Sequence, residues 1–469
     1  MNWKTIFKSL KNRNMSKRLL ILLGIIIAYR FLAHIPVPLA EPTQLKEVIN
    51  TVINSSNFGG FLNLISGGAL TSFSIVLVGM SPFITASIIS QLLTKAIPKL
   101  EELHKDGESG RRKINQWTRI ISVPLAIVQS IAFIYILRQT ILAGSTTILT
   151  DSSLMTWIVG VVAMTAGSLI LMWFGELITE QGVGNGISLI IFAGIISQLP
   201  STLATMVTSI ADTTNGDMNV FGWFHVPVNP AAFWVAIGIL VASIIVLYVL
   251  VKINEAQRVI TINYAKRVQG NSNYGGVKSI LPVKLIAANV IPIIFAVAFL
   301  SLPAFIGQIM KATGNPAYTA IADNLISWFQ SPSASFTGST LQAFIYPAAY
   351  FVLVIMFTYF YTGIIFNSNE IAENLQKQGG FIEGVRPGIQ TEKYLTQTVN
   401  RLTLFGSIAL GVIAVMPFIG EFLMYNLAGI SDTKLSVGGT GLLIVVSVAL
   451  ESLRQINSRA LMVTYDDYK

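Results

Sequence analysis

The sequence predicts an all-α polytopic membrane protein with about ten transmembrane helices, and three observations carry that prediction. Of 469 residues, 53% are hydrophobic and only 11% are charged, with a mean hydropathy of +0.65. A soluble domain usually carries about 25% charged residues, so water cannot solvate a surface this poor in charge, whereas lipid can. Apolar runs of ~20 residues, the length that crosses roughly 30 Å of hydrocarbon, recur along the whole chain. Basic residues gather in alternate connections between those runs.

The runs fall near Leu19–Leu39, Phe73–Leu93, Arg119–Ala143, Leu154–Phe174, Gly186–Val207, Ala231–Val251, Lys284–Gln308, Leu341–Phe366, Arg401–Gly420 and Gly438–Leu461. The basic, polar stretch Met1 to Arg18 precedes the first run, and no small-residue cleavage site follows it, so the run is expected to be a retained span rather than a signal peptide. One set of connections holds Lys4, Lys8, Lys11, Arg13, Lys17 and Arg18, then Lys99, Lys105, Arg111, Arg112, Lys113, Arg258, Lys266, Arg267, Lys278, Lys377, Arg386, Lys393 and Lys469. The alternate set holds only Lys46, Lys311 and Lys434. The positive-inside rule then makes both termini cytoplasmic. It also accounts for the +9 net charge through the membrane, and no sequence-specific nucleic-acid partner is expected.

Two cytoplasmic connections are long, about 252–283 and 367–400. Composition alone favours solvated loops. Their mixture of charge with Ile260, Tyr264, Leu375 and Phe381 suits ordered protrusions that dock a partner. Pro227 to Pro230 marks the expected boundary between an N-terminal half, 1–220, with helices 1–5, and a C-terminal half, 221–469, with helices 6–10. Five spans per half would run equivalent helices in opposite directions, as inverted repeats do. No repeat is visible in the residues themselves.

The segment Asn57 to Leu70 is apolar, broken by two glycine pairs and too short to span. It reads equally as a re-entrant half-helix received by protein or a water-filled cavity and as an interfacial loop. In the next run Pro82 is expected to kink the helix, and Thr85, Ser87 and Gln91 give it polar points. Glu108 to Lys113 reads most simply as a charged, orientation-setting turn. Gly182–Val183–Gly184–Asn185–Gly186 lacks the preceding strand and the third-glycine spacing of a nucleotide site. His34, His104 and His225 lie far apart without companion ligands, so no metal is expected. Cysteine is absent, which removes disulfides, thiolate ligands and thiol nucleophiles. No catalytic constellation emerges, so no enzyme activity and no cofactor are expected. Nor does the sequence place ionisable residues at the middle of the spans, where an ion-coupled transporter keeps them.

In order, Ile35–Pro36–Val37–Pro38, Ser66–Gly67–Gly68–Ala69–Leu70, Ser109–Gly110–Arg111–Arg112–Lys113–Ile114, Met172–Trp173, Gly175–Glu176 and Ile178–Thr179–Glu180 form an ordered set. It continues with Gly184–Asn185–Gly186–Ile187–Ser188, Asn263–Tyr264–Ala265–Lys266–Arg267, Glu373–Asn374–Leu375, Arg386–Pro387–Gly388, Arg401–Leu402–Thr403–Leu404 and Gly438–Gly439–Thr440. Across nearly the whole chain this set resembles the SecY family, the central channel subunits of the bacterial Sec protein translocase. Asn215 to Pro230 and Thr313 to Thr340 match least.

The resemblance implies two pseudo-symmetric inverted halves with a re-entrant plug, and a channel that passes unfolded polypeptides across the cytoplasmic membrane. Its constriction would be a pore ring of Met80, Ile84, Ile187, Ile191, Ile294 and Ile444. Taken singly, each of these is a helix-packing residue. A narrow apolar ring blocks ions by dewetting and grips no particular side chain. The plug, about 57–72, would include Phe61, Leu62, Leu64, Ile65, Ser66, Gly67, Gly68, Ala69 and Leu70. A lateral gate with Thr85, Ser87, Gln91, Gln129, Asn289 and Ile291 would release signal sequences and nascent membrane helices into lipid. Lys266, Arg267 and Arg386 would dock a motor or a ribosome. Implied partners are SecE-like and SecG-like small membrane subunits, the SecA motor ATPase, the ribosome, signal sequences and nascent chains, and the lipid bilayer. The match departs at Ile286, where the family has a gate asparagine, at Gly270, Asn271 and Ser272, where it has basic residues, at Leu39, and at Ser81–Pro82–Phe83. The alternative is a secondary transporter of a small solute, which also uses about ten helices and broken segments.

Overall fold

A computed structural model describes residues 13–37, 69, 72–143, 154–210, 218–220, 224–226, 230–264, 267–269, 272–274, 278–288, 291–312, 316–329, 340–428 and 434–466. The chain divides into two compact units. The first comprises Met1–Ile237, Val297–Pro347 and Pro417–Lys469, and the second Gly238–Ala296 and Ala348–Met416. Two of the boundaries fall at Pro347 and Pro417, inside helices, where a missing backbone N–H leaves the helix one hydrogen bond short.

In the first unit, α1 (Arg13–Leu32) leads into an extended segment that pairs Pro36 with Ser74. Val37 N–H donates to Phe73 O at 2.9 Å, and Ile75 N–H to Ile35 O at 3.0 Å. Residues 72–80 form successive turns, and only then does α2 (Ser81–Ala96) begin. The run Phe73–Leu93 is therefore not one continuous helix. Pro82 stands in the first turn of α2, where a missing N–H costs nothing, so it starts the helix instead of kinking it. A short helix, α3 (Pro98–Lys105), follows and leads into α4 (Glu108–Ala143). Glu108 to Lys113 is thus the opening of a 36-residue helix, a correction to its reading as a turn. Next come α5 (Leu154–Gln181) and α6 (Gly186–Ile210), then a hairpin of β1 (Met218–Val220) and β2 (Phe224–Val226), and α7 (Pro230–Glu255), which the unit boundary divides.

The first unit also holds the C-terminal part of α8 (Ile291–Ala312), α9 (Pro316–Phe329), the start of α10 (Thr340–Ile365), the end of α12 (Ile389–Ala428) and α13 (Lys434–Asp466). A helix occupies each of the ten apolar runs. Among the described residues, five helical stretches are long and apolar enough to cross a membrane: Arg112–Tyr135, Leu154–Gln181, Ile291–Lys311, Phe344–Lys377 and Ile389–Gly420. The faces these helices leave uncovered are apolar. Ile120, Val128 and Ile131 of α4 are exposed, while Ser122, Ala126, Gln129 and Ser130 on the opposite side are buried. That is the reverse of a water-soluble helix and the pattern expected in lipid.

The second unit is built around strands that the all-helical reading did not anticipate. β3 (Gln257–Tyr264) pairs antiparallel with β6 (Lys278–Lys284) on one side and with β7 (Gly380–Ile382) on the other. The small ladder β4 (Arg267–Gln269) with β5 (Ser272–Tyr274) closes the excursion between β3 and β6. Ile260 and Ile262 are buried while Val259 and Thr261 are exposed, the period-two alternation of a half-buried strand. Ile260, Val283 and Ile382 pack with Leu395 and Val399 of α12 in one core, with Leu281, Phe366, Ile371, Val385 and Leu402 around it. The connections 252–283 and 367–400 are therefore joined through one sheet.

Candidate functional site

Five of the six predicted ring residues belong to the first unit. Met80 ends the turns before α2 and Ile84 lies one helical turn on; both are buried. Ile187 stands half-buried in the first turn of α6, and Ile191, one turn later, is buried. Ile444 is buried on α13, which packs against α6. Gly175 of α5 is where two of them meet. A Cβ added there would lie 3.4 Å from Met80 Cε and 3.6 Å from Ile187 Cγ1. The absent side chain lets apolar groups from the turn before α2 and from α6 converge on α5. Ile294, in α8, is also buried and belongs to the second unit.

The backbone around this point is clamped by short-range chemistry. Asn185 Oδ1 accepts from the backbone N–H groups of Ile187 at 3.1 Å and Ser188 at 3.4 Å, which caps the N-terminus of α6. Thr179 Oγ1 donates to Gly175 O at 2.8 Å and accepts from Gly186 N–H at 2.9 Å. A Cβ on Gly186 would collide with Gly175 O, so only glycine allows α6 to start this close to α5. Two turns earlier on the same side of α5, Ser168 Oγ donates to Gly79 O at 2.8 Å, fixing the turn that ends in Met80. At the C-terminus of α5, Arg18 Nη1 donates to Gln181 O at 2.8 Å, and the Arg459 guanidinium lies against Gly182. Two cations there complement the negative end of the helix dipole.

The predicted gate residues are distributed as follows. Thr85 Oγ1 donates to Ser81 O at 3.0 Å, and Gln91 Nε2 to Ser87 Oγ at 3.1 Å; both bonds stay within α2. Gln91 Oε1 and Gln129 Oε1 are buried and have no hydrogen-bond partner, so each carbonyl forgoes a bond that water would supply. Ile291 opens α8, Asn289 lies outside the described residues, and Ile286 is buried. One turn beyond Gln129, Phe133 of α4 meets Phe305 of α8, with ring centroids 5.8 Å apart and planes at 46°. Of the expected plug residues, Ala69 is described and buried, and its carbonyl accepts from Ser74 N–H at 3.0 Å. Phe61, Leu62, Leu64, Ile65, Ser66, Gly67, Gly68 and Leu70 lie outside the described residues.

In the second unit, Arg386 is exposed in the turn between β7 and α12. Its carbonyl accepts from buried Thr391 Oγ1 at 2.9 Å, and the neighbouring Val385 N–H donates to Ile382 O. The backbone of this turn is thus pinned to the sheet core while the guanidinium faces outward. Lys266 lies outside the described residues, and Arg267 begins β4.

Sequence reasoning passed over several residues that matter here. Arg119 Nε pairs with Glu176 Oε1 at 2.5 Å, joining α4 to α5. Asn185 and Thr179 stand in the sequence reading only within longer motifs, although an Asn just before an apolar helix is an ordinary cap signal. Phe133 and Phe305 carry no signal at all, since their partnership depends on the fold.

Comparisons with known proteins agree on one family. Residues 74–453 match the family model for SecY. The protein translocase subunit SecY of Corynebacterium glutamicum is 38% identical over 470 residues, covering 98% of each chain. Among solved structures, a protein-conducting channel superposes with a TM-score of 0.60 at 20% identity, covering 94% of this chain and 91% of that one. Sec61 in the canine ribosome–channel complex from the endoplasmic reticulum superposes with a TM-score of 0.55 at 19% identity, covering 94% and 91%. Matched end to end in sequence and in fold, the chain belongs to the SecY family.

Proposed function

We propose that this chain is the membrane subunit of a protein-conducting channel, which passes unfolded polypeptides across the cytoplasmic membrane and releases apolar helices sideways into lipid. The observation that carries the reading is the convergence of Met80 and Ile187 over Gly175, at an apolar point between membrane helices. Met80, Ile84, Ile187, Ile191, Ile294 and Ile444 form the ring in this reading. The ring is greasy, so water and ions leave it when it is narrow, and any peptide side chain slides past it without a specific bond. The channel does no chemistry of its own and takes its energy from a partner. The solute-transporter alternative gains no support from the relatives described above, which are a translocase subunit, a protein-conducting channel and Sec61 in a ribosome–channel complex.

The plug of about 57–72 seals the ring from the outer side, and the two inverted halves, 1–220 and 221–469, open around it. Both termini face the cytoplasm. Phe133 against Phe305 supports a closed gate between α4 and α8, with the orphaned carbonyls of Gln91 and Gln129 as its polar lining and Thr85, Ser87, Asn289 and Ile291 along the seam. A gate whose polar atoms forgo full hydrogen bonding is held shut weakly, which suits one that opens for each nascent helix. The sheet that joins the two long connections presents Arg386 to a cytoplasmic motor of the SecA type or to a ribosome, with Lys266 and Arg267 contributing at the tip. SecE-like and SecG-like small subunits complete the complex.

Replacing Ile187 and Ile191 together with serine should raise the resting ion conductance of the reconstituted channel at least several-fold, because hydroxyls keep the waist wet; unchanged conductance would remove these residues from the ring. Bridging cysteines placed at Phe133 and Phe305 with a short bifunctional thiol reagent should stop lateral release of a nascent apolar helix, and release at the normal rate would exclude a gate at this seam. Arg386→Glu should abolish most motor-driven export while the protein still inserts, and normal export would exclude Arg386 from docking.

A further inference from the structure

After the connection that follows α8, α9 turns back against α8. A Cβ on Gly307 of α8 would lie 3.0 Å from Ala322 O, Ile326 Cγ1 and Leu325 Cβ, so the two helices cross in close contact at that glycine. One turn nearer the end of α8, Lys311 Nζ donates to Asp323 Oδ1 at 2.8 Å. With 1.5 Å of rise per residue, the crossing sits about 8 Å below the last residue of α8, Ala312. With α8 spanning, as its length and composition allow, and its last residue at the surface, α9 would be held at that depth.

The sequence of α9 divides its surface into three strips, at about 100° per residue. Ala322, Leu325 and Ile326 face the crossing. Thr319, Asp323, Asn324 and Ser327 share a polar arc. Ile321 and Trp328 occupy the remaining flank, 52% and 41% exposed, and Tyr318, one turn before the crossing on the side of Ala322 and Leu325, is 48% exposed. Beside the crossing, Ile306 of α8 is exposed as well, at 51%. An apolar flank on a helix that packs by another side is costly in water.

We propose that α9 lies in the headgroup–acyl boundary of the leaflet at the C-terminal end of α8, the outer leaflet in the orientation given above, with Tyr318, Ile321 and Trp328 seated in lipid. Three observations select lipid as the occupant. The crossing depth matches the roughly 5–10 Å at which interfacial helices ride. Trp and Tyr have apolar rings and polar edges that favour this layer over either neighbour. The Lys311–Asp323 pair stays on the water side, both partners being more than half exposed. Ile306 of α8, next to Gly307 in sequence, is an exposed apolar residue too, and faces lipid if α8 spans. In this position α9 acts as a float that fixes the height of α8, the helix that bears Phe305 and Ile294.

The chain contains no cysteine, so single cysteines at Tyr318, Ile321, Trp328 and Asn324 can each carry a nitrobenzoxadiazole probe. The full-length protein is reconstituted into phosphatidylcholine–phosphatidylglycerol vesicles and the probes are exposed to two quenchers. A nitroxide high on the lipid acyl chain should quench positions 318, 321 and 328 at least threefold more than 324, and aqueous iodide should show the opposite order. Equal iodide quenching at all four positions would put α9 in water and overturn the proposal. Shielding of 318, 321 and 328 from both quenchers would mean that protein covers the strip, which overturns it too. Three independent membrane-side positions keep the test decisive if one variant fails to insert, and the depth read is the same whichever leaflet is involved.

Discussion

Close backbone approach around α5 is the constraint on which the rest of the first unit depends. Between helices in lipid no hydrophobic effect draws them together, so association rests on dispersion at short range and on hydrogen bonds between small polar residues. α5 supplies both. Gly167 has no room for a Cβ beside Ile75 O, and Gly186 has none beside Gly175 O. Thr165, Ser168 and Thr179 bond to Ser130, to Gly79 and to Gly186 respectively. Widening the contacts at Gly79 or Gly186 would separate Met80 and Ile187, because each of the two lies one residue from a clamp. In the proposed reading the waist is thus set by small residues that never touch a passing chain.

The second unit is held by a different force. Its core of Ile260, Val283, Ile382, Leu395 and Val399 joins strands and an amphipathic helix end, as in a water-soluble domain, where burial of apolar surface is the main driving term. Asn367 caps α11 (Ser368–Lys377) through Glu370 N–H, and Glu373 pairs with Lys377 along it. A rigid platform of this kind can present Arg386 in one place, which a solvated loop cannot. Two chemistries in one chain, lipid-type packing around the waist and water-type packing beneath Arg386, match the two tasks proposed for it.

Much of this was legible in the sequence, and the failures have physical causes. Apolar runs of span length located a helix in each of ten places, because a membrane helix must satisfy every backbone group within itself and so needs an unbroken apolar stretch. The same logic misread Phe73–Leu93, whose first residues are apolar but sit in turns paired with Ile35 and Val37; backbone partners from elsewhere in the chain are invisible in a hydropathy window. The strands were missed because Gln257 to Tyr264 was read for charge and length and not for alternation, although Ile260 and Ile262 keep a clear period of two. Individual ring residues could be proposed only through family resemblance, since an isoleucine that closes a pore and one that packs a helix look the same in a sequence.

The most direct measurement is the water accessibility of the waist itself. Cysteines placed one at a time at Met80 and Ile187 can be probed with a charged, membrane-impermeant thiol reagent, with and without a polypeptide arrested in transit. Protection at rest, and rapid modification as the polypeptide is drawn clear of the ring, is the result expected of an apolar waist that opens only for its cargo. Rapid modification of both positions in the resting protein would contradict it.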